Sequence, residues 1–178
     1  MHSVIITKGN PNRVLAVTNA DMYVSTDMGE SWEPMGLPSI MTRAKDSNYT
    51  RWIVAKPDNP DVLFMGAGNN NVGDGGNIWR SDDGGRTWVE SNLPFHPNSS
   101  IYDVAVHPSD PNRVVACSIH GEVWATENLG DSWRRIKTIF GETSAVAWQP
   151  NSDLVPTTHI ASGTYAAFGG GLHTQDNP

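Results

Sequence analysis

The chain has 178 residues, which is enough for one sizeable domain with a core of its own. Hydrophobic residues make up 38% and charged residues 17%, and the 17 glycines and 12 prolines favour a turn-rich, all-β fold. The net charge is −7 and no basic run is longer than Arg134–Arg135, so we expect no nucleic-acid partner. No apolar stretch is long enough for membrane insertion, and a single cysteine, Cys117, excludes an intrachain disulfide.

The predicted strands follow the same order three times along the chain. Each unit starts with an apolar run, passes through a Pro-containing turn into a second run, and then through a short loop into a third. A polar turn with Gly and then Trp closes the unit. Units begin about every 45–50 residues, a spacing typical of four-stranded propeller blades. The closing octapeptides are STDMGESW (25–32), SDDGGRTW (81–88) and TENLGDSW (126–133).

A fourth unit starts with SAVAWQP (144–150), and HIASGTYAAF (159–168) is a candidate for its second strand. Aligning GGGLHTQD with GNIWRSDD places Thr174 and Asp176 where the second closing turn has its Ser and Asp. The sequence stops before the Gly and Trp of that turn, which predicts a fourth blade cut inside the turn. The alternative is a disordered, glycine-rich tail that matches by chance.

The predicted fold class is an all-β propeller segment of four-stranded antiparallel blades, three of them complete and a fourth incomplete. We expect one domain over residues 1–178. Its blades are expected at about 2–36, 50–93 and 100–138, with the partial blade at about 143–178.

The closing turn resembles the Asp-box, also called the BNR repeat. That motif occurs in sialidases, Vps10/sortilin receptors, xyloglucan-cleaving glycosidases and Ycf48-like photosystem assembly factors. Three spaced copies imply a propeller but say little about chemistry, because these families share the motif and differ in function. The third copy departs from the pattern by having Asn in place of Asp. The box residues are Ser25, Asp27, Gly29, Trp32, Ser81, Asp83, Gly85, Trp88, Thr126, Asn128, Gly130 and Trp133.

The residue types of the box explain why a polar turn ends in a large aromatic side chain. The carboxylate can accept backbone N–H groups across the turn, and glycine permits a left-handed backbone. The tryptophan is expected to start the outer strand and to bury its ring between neighbouring blades. We therefore interpret Asp27, Asp83 and Asn128 as structural residues that neither catalyse a reaction nor bind calcium.

Ligand-binding residues are expected on the face opposite the boxes, where the loops gather around the central channel. The link at 37–52 and the insertion at 67–77 are the long loops there. Two candidates precede equivalent innermost strands and should approach the channel together, although ordinary packing is the alternative. The candidates are that pair, Arg51 and Tyr102, with Asp46, Asn70 and His120.

We expect neither a metal ion nor a cofactor. Asp74 and its neighbouring asparagines offer oxygen ligands for calcium, but one carboxylate is few for that ion, and a flexible polar loop is the simpler interpretation. The six histidines are scattered without a zinc-binding pattern. No phosphate- or dinucleotide-binding glycine motif stands between a strand and a helix.

The sequence predicts a non-catalytic binding module for a protein, peptide or glycan. The alternative is a sialidase- or xyloglucanase-like glycoside hydrolase whose active site is completed by a second chain or a missing half. The resemblance implies a catalytic pair of acids for a xyloglucanase-like enzyme. Asp46, Asp74 and Asp103 are available, but no local motif marks any of them.

The incomplete ring of blades has consequences for which partners we expect. Propellers normally need at least four blades, and an open edge exposes unpaired backbone. This predicts a homodimer or a partner chain that completes the propeller, and the alternative is that the sequence is a fragment of a longer protein. No signal peptide is visible, so the cytoplasm is the default location, or the protein is secreted if a leader has been removed.

Overall fold

The computed structural model describes residues 1–7, 12–37 and 48–149, together with the backbone of 166–167. Three four-stranded sheets account for most of the strands. The first sheet contains β1 (Ser3–Thr7), β2 (Arg13–Val17), β3 (Met22–Ser25) and β4 (Glu33–Pro34). The second contains β5 (Tyr49–Lys56), β6 (Asn59–Gly68), β7 (Gly76–Ser81) and β8 (Val89–Glu90). The third contains β9 (Ile101–Val106), β10 (Val114–Ser118), β11 (Val123–Thr126) and β12 (Arg134–Arg135).

Each sheet is antiparallel, with its strands in sequence order. The first strands of the sheets are neighbours, since β1 contacts β5 and β5 contacts β9. The predicted segment of four-stranded antiparallel propeller blades is therefore confirmed. Within the described ranges, no helix is long and apolar enough to cross a membrane.

Strand connections define two ends of the sheets. The turns from third to fourth strand, which carry the Asp-boxes, lie at one end, and we name this end the box face. The loops from second to third strand and the connections between sheets lie at the opposite end, which we name the loop face. Strands β1, β5 and β9 therefore all begin at the loop face.

The second strand of each sheet is buried almost throughout, as its continuous apolar sequence requires. Side chains from these strands form the core between neighbouring sheets. The cluster between the first and second sheets includes Leu15, Val17, Met22, Ile53, Leu63, Met65 and Trp79. The cluster between the second and third sheets includes Phe64, Ile78, Ile101, Val104, Ala116, Trp124 and Trp133.

The outer side of the first sheet differs from the equivalent side of the other two. Val4, Ile53 and Val104 occupy the same register position in β1, β5 and β9. Ile53 is 4% exposed and Val104 is 1% exposed because each packs against the preceding sheet, whereas Val4 is 50% exposed. The first sheet thus presents to solvent the kind of face that the other two bury.

The fourth unit differs from the three sheets where the structure describes it. Strand β13 (Val146–Ala147) pairs with β14 (Ala166–Ala167), but in parallel, whereas an Asp-box blade pairs its strands antiparallel. The start of the unit is instead fixed to the third sheet: Val146 N–H donates to the Asp103 carboxylate at 2.9 Å. The predicted second strand is described only at 166–167, and Thr174 and Asp176 lie outside the described residues.

Candidate functional site

The three box turns share one hydrogen-bond network on the box face. The first hydroxyl donates to the Asp or Asn side chain, at 2.6 Å from Ser25, 2.8 Å from Ser81 and 2.8 Å from Thr126. The same hydroxyl oxygen accepts the N–H of the box glycine, at 2.7, 2.8 and 3.0 Å in chain order. The hydrogen-bonding capacity of these side chains is therefore used within the turn.

The third box shows what the change from Asp to Asn does. Thr87 Oγ1 donates to Asp83 Oδ2 at 2.7 Å, since a carboxylate only accepts. In the third box Asn128 Nδ2 donates to Ser132 Oγ at 2.9 Å, which reverses the direction of the bond. Asn128 Oδ1 still accepts the Ser132 N–H at 3.0 Å. The amide preserves the turn because the hydroxyl can donate or accept.

Hydrogen bonding also sets the ionisation of the box carboxylates. Burial alone would raise the pKa of Asp83, but bonds from Thr87, Ser81 and the Arg86 N–H outweigh it and lower that pKa to about 2. The pKa of Asp27 is lowered further, first by the Ser25 hydroxyl and then by Ser31. Both groups stay ionised as fixed hydrogen-bond acceptors, a role suited to holding a turn.

Arginines from one sheet hold the box of the next. Arg13 donates to the Gly84 carbonyl oxygen at 3.0 Å, and Arg80 donates to the Leu129 carbonyl oxygen at 2.7 Å. Gly84 and Leu129 are the same position of the box, and both have positive φ, 70° and 57°. The box face is therefore a series of joints between sheets.

The box tryptophans are buried to different degrees. Trp133 is 6% exposed and Trp88 packs on the cluster between the first two sheets, as expected for rings between blades. For Trp32 that expectation is wrong, since this ring is 40% exposed. No sheet precedes the first one in the described structure, so nothing covers the Trp32 ring, and its Nε1 donates to Gly29 O at 3.0 Å.

On the loop face, Arg51 and Tyr102 occupy equivalent places. Arg51 is the unpaired residue at a register shift between β5 and β6, and Tyr102 is the unpaired residue at a shift between β9 and β10. Such bulges redirect a side chain from the regular sheet. The Arg51 Cζ lies 4.4 Å from the centroid of the Tyr102 ring, which is a cation–π distance. The two side chains meet, as the sequence predicts.

Two further residues complete this cluster, which we name the Arg51–Tyr102 site. Asn71 Oδ1 accepts a hydrogen bond from Tyr49 at 2.9 Å and a second, short one from Tyr102. The Tyr49 hydroxyl also accepts from Arg51 at 3.4 Å. Burial is the main cause that raises the pKa of Tyr102, so its phenol stays protonated and can donate. Side chains from β5, β9 and the loop after β6 thus form one cluster of polar and aromatic groups.

His2 extends the site toward the first sheet. Its ring centroid lies 4.8 Å from that of Tyr49, and the Tyr49 and Tyr102 centroids lie 6.5 Å apart. His2 Nδ1 also lies 2.7 Å from the Thr50 carbonyl oxygen, which fixes the imidazole. The three rings form a row across the starts of β1, β5 and β9.

The other candidates lie apart from this row or outside the described residues. Asn70 adjoins Asn71, and its backbone carbonyl accepts a hydrogen bond from Ser100. His120 is exposed in the β10–β11 turn, where its N–H donates to Ser99 Oγ at 2.9 Å. Asp46 falls outside the described residues. Of the five candidates, the structure brings Arg51 and Tyr102 together and places Asn70 beside them.

The insertion at 67–77, which contains Asn71, is closed by hydrogen bonds that its own side chains make. Asn69 Nδ2 donates to Asp74 Oδ1 at 2.7 Å, and Asp74 N–H donates to Asn69 Oδ1 at 3.3 Å. Gly73 between them has φ +57°, a left-handed conformation that favours glycine. The loop therefore has a defined shape. No group of three potential metal-ligating side chains comes together in the part of the chain described.

Asp103 is the acid, among the described residues, whose pKa is strongly raised. Burial raises its pKa to about 6, against the opposing effect of N–H groups from Val146 and Val104. Each carboxylate oxygen accepts one of those N–H groups, at 2.9 and 2.8 Å. The carboxylate is thus engaged in joining the fourth unit to the third sheet.

Sequence reasoning missed Asn71 and His2 as members of the site. Tyr49 and Asn71 belong to the two long loops of the loop face, but neighbouring asparagines give no signal that selects one of them. His2 occupies in β1 the place that precedes the regular strand, as Arg51 does in β5. Alignment of the first strands could therefore have found His2.

Comparison with known proteins agrees with this geometry. Residues 20–164 match the family model described as sortilin, neurotensin receptor 3. Sortilin of Rattus norvegicus is 23% identical over 169 residues, which is 93% of this chain and 19% of that protein. The chain therefore spans about a fifth of that relative's length.

Solved propellers are also similar. The structure of an ancestral GH74 enzyme superposes with a TM-score of 0.58 at 25% identity, over 75% of this chain and 18% of that one. The structure of YCF48 bound to D1 peptide superposes with a TM-score of 0.52 at 15% identity, over 80% of this chain and 44% of that one. The resemblance to Asp-box propellers is confirmed. From the match over residues 20–164, the chain belongs to the Sortilin-Vps10 family.

Proposed function

We propose that this chain is a non-catalytic propeller module that binds a protein or peptide ligand at the Arg51–Tyr102 site. One observation carries the proposal: the Arg51 guanidinium lies 4.4 Å above the Tyr102 ring and donates to Tyr49 at 3.4 Å, with no acidic partner among the described residues. A guanidinium held in this way keeps donors free for a carboxylate of the ligand. The net charge of −7 makes this cation a local exception on an acidic chain.

The surroundings of Arg51 support a peptide as the ligand class. Arg51 and His2 are partly exposed and Asn71 is exposed, so a ligand can reach a guanidinium, an imidazole and an amide there. Tyr49 and Tyr102 are only 7% and 8% exposed, and they hold these groups in place from below. The family model is described as a neurotensin receptor, and the YCF48 propeller was solved with a D1 peptide bound.

A peptide selection tests the proposal. Immobilised protein is panned against random peptides with free C-terminal carboxylates, and each selected peptide is measured again with its C-terminus amidated. We expect peptides that carry a carboxylate to be enriched, and the Arg51→Ala variant to bind them at least 10-fold more weakly. Arg86→Ala is the matched control, since Arg86 is exposed on the box face. Equal binding by wild type and Arg51→Ala would refute the assignment.

The alternative is a glycoside hydrolase completed by a second chain, which the similar GH74 structure favours. Such an enzyme needs two carboxyl groups with access to substrate. Asp103 has the raised pKa of an acid catalyst, but both its oxygens accept backbone N–H groups. Asp74 is bonded to Asn69 in the closed loop. These engagements support binding over catalysis for this chain.

The exposed outer side of the first sheet supports a further proposal about partners. A further blade, from a longer chain or from a second copy, covers Val4, Ile6 and Trp32, which are 50%, 57% and 40% exposed. Light scattering on a sizing column tests whether that blade comes from a second copy of the chain. A mass of about twice 19.4 kDa that falls to 19.4 kDa in Ile6→Lys would support it, and a wild-type monomer would exclude it.

A further inference from the structure

Asn71 and Arg51 both bond the phenol oxygen of Tyr49, at 2.9 and 3.4 Å. A ligand on the loop face can reach both side chains, since Arg51 is partly exposed and Asn71 is exposed. An amide has an acceptor oxygen and a donor nitrogen, so what Asn71 offers to a ligand depends on which end it presents. The hydrogen bonds around Tyr49 determine that end.

The orientation of the Asn71 amide follows from the donors around it. Arg51 can only donate, so the Tyr49 oxygen accepts from it, and the single phenol proton of Tyr49 is free to donate to Asn71. The Tyr102 phenol also donates to Asn71, because burial raises its pKa and keeps it protonated. Both bonds need an acceptor. Oδ1 of Asn71 therefore faces the two phenols, and Nδ2 is the end left for a ligand.

The donors of Asn71 Nδ2 are not used by the part of the chain that the structure describes. The backbone N–H of Asn71 donates to Asn70 Oδ1 at 2.6 Å, and the side-chain oxygen accepts from the two phenols. No described group accepts from Nδ2 itself. Arg51 likewise keeps donors beyond the one that bonds Tyr49. The site therefore presents a charged donor and a neutral donor on either side of one phenol oxygen.

Ser100 fixes the loop on both sides of Asn71. Its hydroxyl donates to the Asn70 carbonyl oxygen, and its N–H donates to the Val72 carbonyl oxygen at 3.4 Å. Ser100 is buried and stands two residues before Tyr102 in the chain. The amide is thus held in place relative to Tyr102 before a ligand binds, which lowers the entropy that binding costs.

We propose that Asn71 determines the specificity of the Arg51–Tyr102 site, because its Nδ2 donates to the same ligand carboxylate that Arg51 binds. This role requires a carboxylate at Arg51, and so it rests on the proposed function. Two adjacent donors match the two oxygens of a carboxylate, and the charged one strengthens the bond. An amidated terminus has one oxygen and an NH₂ group that finds no acceptor at Nδ2. The site therefore distinguishes an acid from its amide.

Two substitutions of Asn71 distinguish a donor to the ligand from a mere support for the tyrosines. Asn71→Asp keeps an acceptor for both phenols but replaces the Nδ2 donor by an anionic oxygen, whereas Asn71→Ala removes donor and acceptor together. We expect Asn71→Asp to weaken a peptide with a free carboxylate about 100-fold, because like charges meet, and Asn71→Ala to weaken it about 10-fold. A purely structural role predicts the opposite order, with Asn71→Asp close to wild type, and that order would overturn the proposal.

NMR of the ¹⁵N-labelled chain tests the bond itself. The side-chain NH₂ signals of Asn71 are identified by their absence from the spectrum of Asn71→Asp. They are expected to shift when the tightest peptide from the selection is added with its free carboxylate. Signals that stay unmoved at a saturating concentration of that peptide would overturn the donor role, even if Asn71→Asp binds weakly.

Isothermal titration calorimetry measures the affinities with the same peptide in its free and its amidated form. Asn92→Asp is the matched control, because it makes the same change of charge at an exposed residue after β8. Asn71→Asp should bind the amidated form at least as well as the free form. If Arg51→Ala weakens the free peptide and Asn71→Asp does not, the role of Asn71 is refuted and the proposed function stands. If neither variant weakens it, both are refuted.

Discussion

A side chain on Gly85 would place its Cβ 2.5 Å from Leu15 Cδ1, across the joint between the first two sheets. The same relationship recurs at the next joint, where a Cβ on Gly130 would lie 3.0 Å from Phe64 Cε1. Leu15 and Phe64 occupy equivalent positions in β2 and β6. The box glycine is therefore required twice, once for its positive φ and once for the close approach of the preceding sheet.

Gly85→Ala is expected to destabilise the protein by about 2–4 kcal/mol. About 1–2 kcal/mol comes from the left-handed backbone at φ 78°, and the rest from overpacking against Leu15. Gly29→Ala is the matched control, because Gly29 has φ 101° but its Cβ would meet only Trp32, at 3.6 Å. Urea unfolding measures both variants. Equal losses would mean that the joint does not depend on the glycine.

The box tryptophans should also differ in how much they stabilise the protein, because a preceding sheet covers Trp133 and none in the described structure covers Trp32. Trp133 is 6% exposed and meets Phe64 edge-to-face at 6.3 Å, so Trp133→Ala is expected to cost about 3–5 kcal/mol. Trp32 is 40% exposed, and Trp32→Ala should cost about 1 kcal/mol in the isolated chain. Thermal melts compare the two. A larger loss at Trp32 would indicate that its ring is covered in solution.

The repeat explains how much of this fold and site the sequence could predict. The spacing of the boxes and of the apolar runs predicts the three sheets, because the strands of each unit have the same register relative to its Asp-box. Trp32 was misjudged because its burial depends on a neighbouring sheet and not on its own unit. Asn71 was missed because its contact with Tyr49 and Tyr102 depends on the shape of one inserted loop. The parallel pairing of β13 with β14 has no counterpart in the three complete units, so the repeat could not predict it.

Asp103 should make the protein less stable as pH rises from about 4 to above 6. Burial raises its pKa to about 6 in the folded state from 3.8, so its contribution is complete below about pH 4 and is lost through pH 6. The full effect is at most about 3 kcal/mol, from two pH units at about 1.4 kcal/mol each.

Asp103→Asn provides the check, because an amide does not titrate. Urea midpoints of wild type and Asp103→Asn are compared between pH 4.5 and 7.5. The wild-type stability should fall relative to that of the variant as pH rises, with histidine titration common to both proteins. Parallel curves would show that Asp103 is not the group responsible.

Cys117 is expected to resist alkylation in the folded protein. Burial, and then the nearby Asp103 charge, raise the pKa of this thiol to about 12, so almost no thiolate is present at pH 8. Mass spectrometry after iodoacetamide treatment should show an unmodified native chain and a single modification in 6 M urea. Rapid modification of the native chain would mean that the third sheet opens readily.

Hydrogen–deuterium exchange of the chain, with and without a selected carboxylate peptide, distinguishes the loop face from the box face as the ligand-binding surface. Binding at the Arg51–Tyr102 site should slow exchange on the loop face, in the segments around Tyr49–Arg51, Asn70–Asn71 and Tyr102, and leave the three box turns unchanged. Protection confined to the box turns at 25–32, 81–88 or 126–133 would refute loop-face binding and assign the ligand to the box face.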